Sequence, residues 1–156
     1  MAGTEQGKDI PGVIAPPPLI YLGGLVAGVL LDHFLPIGAV AARPVVGAPL
    51  VILGIVLMAL SLREFIRAKT DFKPYRPTTR IISSGPFRFT RNPLYLAMAL
   101  IYAGLAIALG SVWALALFIP VLATVRYGVI AREERYLERK FGAEYLGYKI
   151  GVRRWI

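Results

Sequence analysis

The chain has 156 residues, 56% of them hydrophobic, with a mean hydropathy of +0.62 and a formal net charge of +9. A domain of this size has too little interior to hide that much apolar surface, so the bilayer is the expected solvent. With no cysteine and a single histidine, His33, the chain lacks the residues for disulfides, thiolate nucleophiles, Cys- or His-cluster metal sites and His-containing triads.

The N-terminal MAGTEQGKDIPG has weak basic character and no clear cleavage site, and it does not read as a signal peptide. The first apolar segment, 16–35, opens on three prolines, which suit a helix entrance. Asp32 and His33 fall near its far end, where polar groups meet the interface. The second segment, 44–62, carries no charge and is bracketed by Arg43 and Arg63. Each of the two is long enough to span a bilayer. Residues 93–125 form an uncharged block of 33 residues. As one straight helix it would run about 50 Å, too long for the membrane. Leu109, Gly110 and Ser111 offer a break near its middle, so the block is expected to fold as a tight hairpin with somewhat short arms. Pro120 is expected to kink the second arm.

Eight of the Lys and Arg residues lie in 63–91 and eight more in 126–154, with only Lys8 and Arg43 elsewhere. A hairpin separates the two basic regions, so they share a side, and the positive-inside rule assigns that side to the cytoplasm. Both termini are then expected there, and a prokaryotic plasma membrane is the expected location. The composition shifts at Arg63, Pro93 and Arg126 mark membrane boundaries within one domain, 1–156. The expected fold is an all-α integral membrane protein of about four transmembrane helices, followed by an amphipathic helix and tail.

Segment 69–92 is polar and broken by Pro74, Pro77, Gly85 and Pro86. SSGP at 83–86 reads as a turn, and FRFTRNP then carries Arg88 and Arg91 to the mouth of the hairpin. Asn92 suits a helix cap and Pro93 the first turn. Such a loop grips anionic lipid headgroups, or handles a carboxylate or phosphate at a helix N-terminus; composition alone does not separate the two. After the hairpin, Glu133, Leu137 and Phe141 repeat at four-residue spacing, as an amphipathic helix does, and Gly142 is a plausible stop. Glu138, Arg139 and Lys140 read as a solvated, salt-bridged face. Glu133 and Glu134 lie close to the apolar arm and call for a partner cation, with Arg88, Arg91 and Arg153 as candidates, or for a cationic ligand.

GPFRFTRNPLYLA and REERYLERKFGAEYLGYKIGVRRWI together resemble the isoprenylcysteine carboxyl methyltransferase and phospholipid methyltransferase group of integral membrane enzymes. The resemblance covers 85–155 and implies a methyltransferase that takes its methyl group from S-adenosylmethionine. It implies a cofactor site built from segments 63–92 and 126–156, with lipid-side access for a lipophilic acceptor. Carried over by position, Arg91, Asn92, Pro93, Tyr95, Glu133, Glu134, Tyr145 and Tyr148 would contact the cofactor, and Glu134 and Arg153 would serve catalysis. Asn92 stands where the family usually has His and cannot act as a base; Ala97 stands where Gly is common. The expected partners are membrane lipids and the acceptor, with no nucleic acid and no metal. Two other readings compete: an NADPH-dependent membrane reductase related to sterol reductases, and a non-enzymatic scaffold or lipid-binding subunit.

Overall fold

The computed structural model describes residues 9–38, 41–71, 73 and 76–155; Lys8 and Pro74, named above, and residues 1–8 of the N-terminal stretch lie outside them. Among the described residues six α-helices follow in chain order: α1 (Pro17–Phe34), α2 (Pro44–Ala68), α3 (Pro93–Leu109), α4 (Val112–Val125), α5 (Ala131–Phe141) and α6 (Ala143–Gly151). No strand occurs among the described residues; Thr90 and Arg153 form one isolated parallel bridge. Among the described residues, three helices are long and apolar enough to cross a membrane: α1, α2 and a continuous helix Val112–Phe141. With the shorter apolar α3, of 17 residues, they make an all-α integral membrane bundle.

The bundle pairs α2 with α3 and α1 with α4. Glycine permits both pairings. A Cβ at Gly47 would lie 2.3 Å from the Gly104 carbonyl oxygen, and one at Gly28 would lie 2.4 Å from Ala114 Cα. Small residues let membrane helices approach until their backbones touch, which supplies the dispersion contact that hydrophobicity cannot supply in lipid. Val45, Ile52, Ile55 and Val56 stay exposed on α2, a face for acyl chains. Tyr102 fills the centre at 2% exposure, donates to the Ala114 carbonyl at 2.9 Å and stacks on Phe118.

The hairpin turns at Gly110, whose φ of +67° is the left-handed conformation glycine adopts freely. Ser111 then caps α4 by accepting from Ala114 N at 3.0 Å, and it donates to Asp32 Oδ2. Asp32 Oδ1 accepts from Trp113 N at 3.2 Å, so this carboxylate from α1 completes the α4 cap. Asp32→Ala would strand the Trp113 amide at an apolar boundary. It is expected to cost about 1–2 kcal/mol, read as a lower thermal midpoint in detergent.

Two boundaries differ from the sequence expectation. α2 continues six residues past Leu62 to Ala68, because Arg63, Glu64 and Arg67 are sound helix formers and nothing breaks the ladder until Lys69 turns left-handed. The second hairpin arm does not stop at Val125: a π-turn at Arg126–Ile130 joins α4 to α5. Residues 9–14 strap along this joined helix on the stripe Gly128, Arg132, Tyr136 and Lys140. Ile14 N donates to the Gly128 carbonyl, Arg132 to the Gly12 carbonyl, and Tyr136 and Lys140 to the Asp9 carboxylate. Tyr136 also accepts from Thr78 N at 3.2 Å, tying the strap to the loop that follows α2.

Candidate functional site

The loop after α2 and the tail after α6 are stitched together at the mouth of the hairpin. Arg91 N donates to the Arg153 carbonyl at 2.9 Å, while Thr90 Oγ1 and Asn92 Nδ2 both donate to the Arg154 carbonyl. Asn92 therefore does not cap α3 with its side chain. Pro93 occupies the first turn of that helix, as its fixed φ favours.

Behind the stitch lies Glu134, 5% exposed. Arg154 holds it with two bonds, Nε to Oε1 at 3.0 Å and Nη2 to Oε2 at 2.6 Å. Arg91 Nη2 lies 3.3 Å from the same Oε1. Three charges share one buried node, and the bidentate geometry fixes it. The bond to Glu134 holds the Arg154 guanidinium above its usual value, so it stays charged. Arg91 is buried as well, its side chain 8% exposed, and among the described residues its Nε and Nη1 have no hydrogen-bond partner. A buried guanidinium with two unmet N–H groups costs free energy, so it is where an anionic ligand would gain most.

Arg91 lines a cleft of about 120 Å³ together with Tyr95, Glu133, Tyr145 and Tyr148. Tyr95 donates to Glu133 Oε1 at 2.6 Å. Among the described residues no Lys or Arg pairs with Glu133. Tyr148 donates to the Phe87 carbonyl at 2.7 Å. Burial raises the Tyr145 phenol above its usual value and pushes that of Tyr148 up to about 12, so both remain hydrogen-bond donors at neutral pH. Among the described residues no group of three or more His, Cys, Asp or Glu comes together.

A second cavity, apolar and about 430 Å³, runs beside the first between α1, α2 and α3. Leu25, Met58, Met98 and Leu105 line its length, and Pro16, Pro17 and Pro18 its rim. Lys73, Leu94 and Tyr95 belong to the walls of both cavities. A cleft with charged and phenolic groups in its wall and a more apolar groove thus meet at Tyr95.

Residues 42–144 match the phospholipid methyltransferase family. The chain belongs to that family. It is accordingly a membrane methyltransferase, with Arg91, Asn92, Pro93, Tyr95, Glu133 and Glu134 inside the matched segment and Tyr145, Tyr148 and Arg154 just beyond it. An uncharacterized protein of Haemophilus influenzae is 43% identical over 63 residues, which is 40% of this chain and all of that one. No solved structure matches.

Of the residues named from sequence, the fold brings Arg91, Asn92, Pro93, Tyr95, Glu133, Tyr145 and Tyr148 to the cleft wall, and sets Glu134 behind Arg91. It does not bring Arg153 there. That side chain is exposed, and Arg154 makes the contact to Glu134. The tail is extended at Val152 and bridged at Arg153, and neighbours in extended chain point to opposite sides, so only one of the pair can face inward. Arg88, the third candidate cation, is likewise exposed. Sequence reasoning missed Phe65 and Phe87 as site residues, which meet edge to face at 5.5 Å on the cleft wall; for Phe87 the aromatic directly after the Gly-Pro turn was the available signal.

Proposed function

We propose that the protein transfers a methyl group from S-adenosylmethionine to a lipophilic or membrane-associated acceptor. Arg91 carries this reading. A buried guanidinium in the cleft wall, with its Nε and Nη1 unpartnered among the described residues, favours an anionic group such as the carboxylate of an amino-acid-like ligand. Glu134 orients Arg91, and Arg154 pairs with the same carboxylate, so the three groups together keep a positive charge. Glu133 takes the ligand ammonium, and Tyr145 and Tyr148, with the Phe65 and Phe87 edges, pack the adenine and ribose. When bound, the cofactor supplies an electrophilic methyl group. The chain's own task is positioning: the apolar groove lays the acceptor against Tyr95, where the two cavities meet, and keeps water from the reacting end. A carboxylate acceptor, such as an isoprenylcysteine carboxyl, needs no base, whereas an amine must arrive uncharged. The concentration of Lys and Arg on the cleft side of the bundle favours a cytoplasmic cleft with both termini on that side, in a prokaryotic plasma membrane.

Equilibrium binding of labelled S-adenosylmethionine to detergent-purified protein tests the reading. Saturable binding that excess NADPH does not displace is expected. Displacement by NADPH would favour the reductase, and no binding by folded protein would favour the scaffold.

A further inference from the structure

We infer that Glu64 is a positioning residue for the cleft, holding the turn that delivers Phe87 and Arg91 to it. Glu64 sits one turn before the end of α2 at 8% exposure, continuous with the apolar span. An ionisable group there is costly unless it has partners and a task. Ser84 Oγ donates to its Oε2, and Arg67 Nη1 lies 3.2 Å from its Oε1. Arg67 is 57% exposed, so solvent screens that pair and the Ser84 bond is the one that fixes geometry. Gly85 adds a second, independent contact. Its φ is +56°, and a Cβ there would lie 2.9 Å from Glu64 Cγ, so the turn backbone rests directly on the carboxylate side chain. From this point a short hydrogen-bonded run leads into the site. Phe87 N donates to the Ser84 carbonyl at 3.1 Å, and Phe89 N and Thr90 N both donate to the Pro86 carbonyl. Phe87 is then pinned against Phe65, the residue after Glu64, and its carbonyl accepts from Tyr148. Arg91 follows immediately. The loop after α2 is therefore fastened to that helix at the start of the stretch that forms the cleft wall.

The functional half of this inference rests on the reading of the cleft as the cofactor site, and the test separates the two. The full-length chain, Glu64→Ala, Glu64→Gln and Ser84→Ala are compared by amide hydrogen exchange over 84–92, by S-adenosylmethionine binding and by thermal midpoint. Glu64→Ala and Ser84→Ala are expected to exchange about tenfold faster at Phe87, Phe89, Thr90 and Arg91, and to bind S-adenosylmethionine about tenfold more weakly. Glu64→Gln, whose carbonyl still accepts from Ser84, is expected to stay within about threefold of the wild type in both. A residue that only stabilised α2 would lower the midpoint without this rescue pattern. Wild-type exchange in Glu64→Ala and Ser84→Ala, or a Gln variant as damaged as the Ala variant, would overturn the inference. If Glu64→Ala does not fold, Ser84→Ala carries the exchange test, since it removes only the donor. A wild-type protein that binds no S-adenosylmethionine would defeat the cofactor reading, and exchange would still decide whether Glu64 positions the loop.

Discussion

Arg91→Lys is expected to bind S-adenosylmethionine about 30-fold more weakly than the wild type while remaining folded. The lysine keeps a positive charge beside Glu134, so the buried carboxylate keeps both its cations. It cannot reproduce the fixed planar donors of the guanidinium, whose Nε and Nη1 are left unpartnered among the described residues. Losing one charge-assisted bond costs about 2 kcal/mol, hence the factor of about 30. Decarboxylated S-adenosylmethionine supplies the control. It lacks the group that Arg91 would hold, so its affinity is expected to differ little between wild type and Arg91→Lys. Arg91→Ala should do more damage than Arg91→Lys, because it leaves Glu134 to Arg154 alone at 5% exposure. Equal cofactor affinity in wild type and Arg91→Lys would reduce Arg91 to a counter-ion for Glu134.

The separation between what sequence makes legible and what it hides follows length scales. The hairpin was legible because 33 uncharged residues exceed any bilayer, and Gly110 offers the one conformation that turns the chain tightly there. The meeting of two basic segments at one end was legible because a hairpin returns the chain to the side it left. Pairing at the level of single side chains was not. Arg153 and Arg154 are chemically equivalent, and only the backbone bridge to Thr90 decides which one turns toward Glu134. Glu64 was hidden because the charge boundary at Arg63 looks like the end of a helix, whereas the backbone ladder continues to Ala68. The strap of residues 9–14 carries no periodic signal at all; its hydrogen bonds come from the four-residue stripe of the joined α4–α5 helix, which depends on the π-turn at 126–130. The Glu133–Glu134 pair shows both limits together. Adjacency in sequence suggests one shared role, yet adjacent helical residues differ by about 100° in direction, and the two carboxylates meet Tyr95 and the arginines respectively.

The groove makes the second large prediction. Met98 lines the apolar cavity on α3, one turn from Tyr95, which also lines the cleft. Met98→Trp would fill the groove close to that junction and leave Arg91, Glu133 and Glu134 untouched. A long-chain acceptor would then keep about three methylenes out of the groove, at about 0.8 kcal/mol for each. The expected result is a loss on the order of 50-fold in kcat/KM for long-chain acceptors, with S-adenosylmethionine affinity within about twofold of wild type. Chain length provides the internal check. Within whichever acceptor class the wild type methylates, prenylcysteine carboxylates or phospholipid amines, the variant's preference should move toward shorter chains. A chain-length profile identical to wild type would mean that the acceptor approaches from elsewhere, and the groove would then be space for membrane lipid. A parallel loss of cofactor affinity would mean that the two cavities are mechanically one, since Leu94 and Tyr95 form the wall between them. The two outcomes differ in which half of the site moves. That is why cofactor affinity and acceptor preference have to be measured on the same variant.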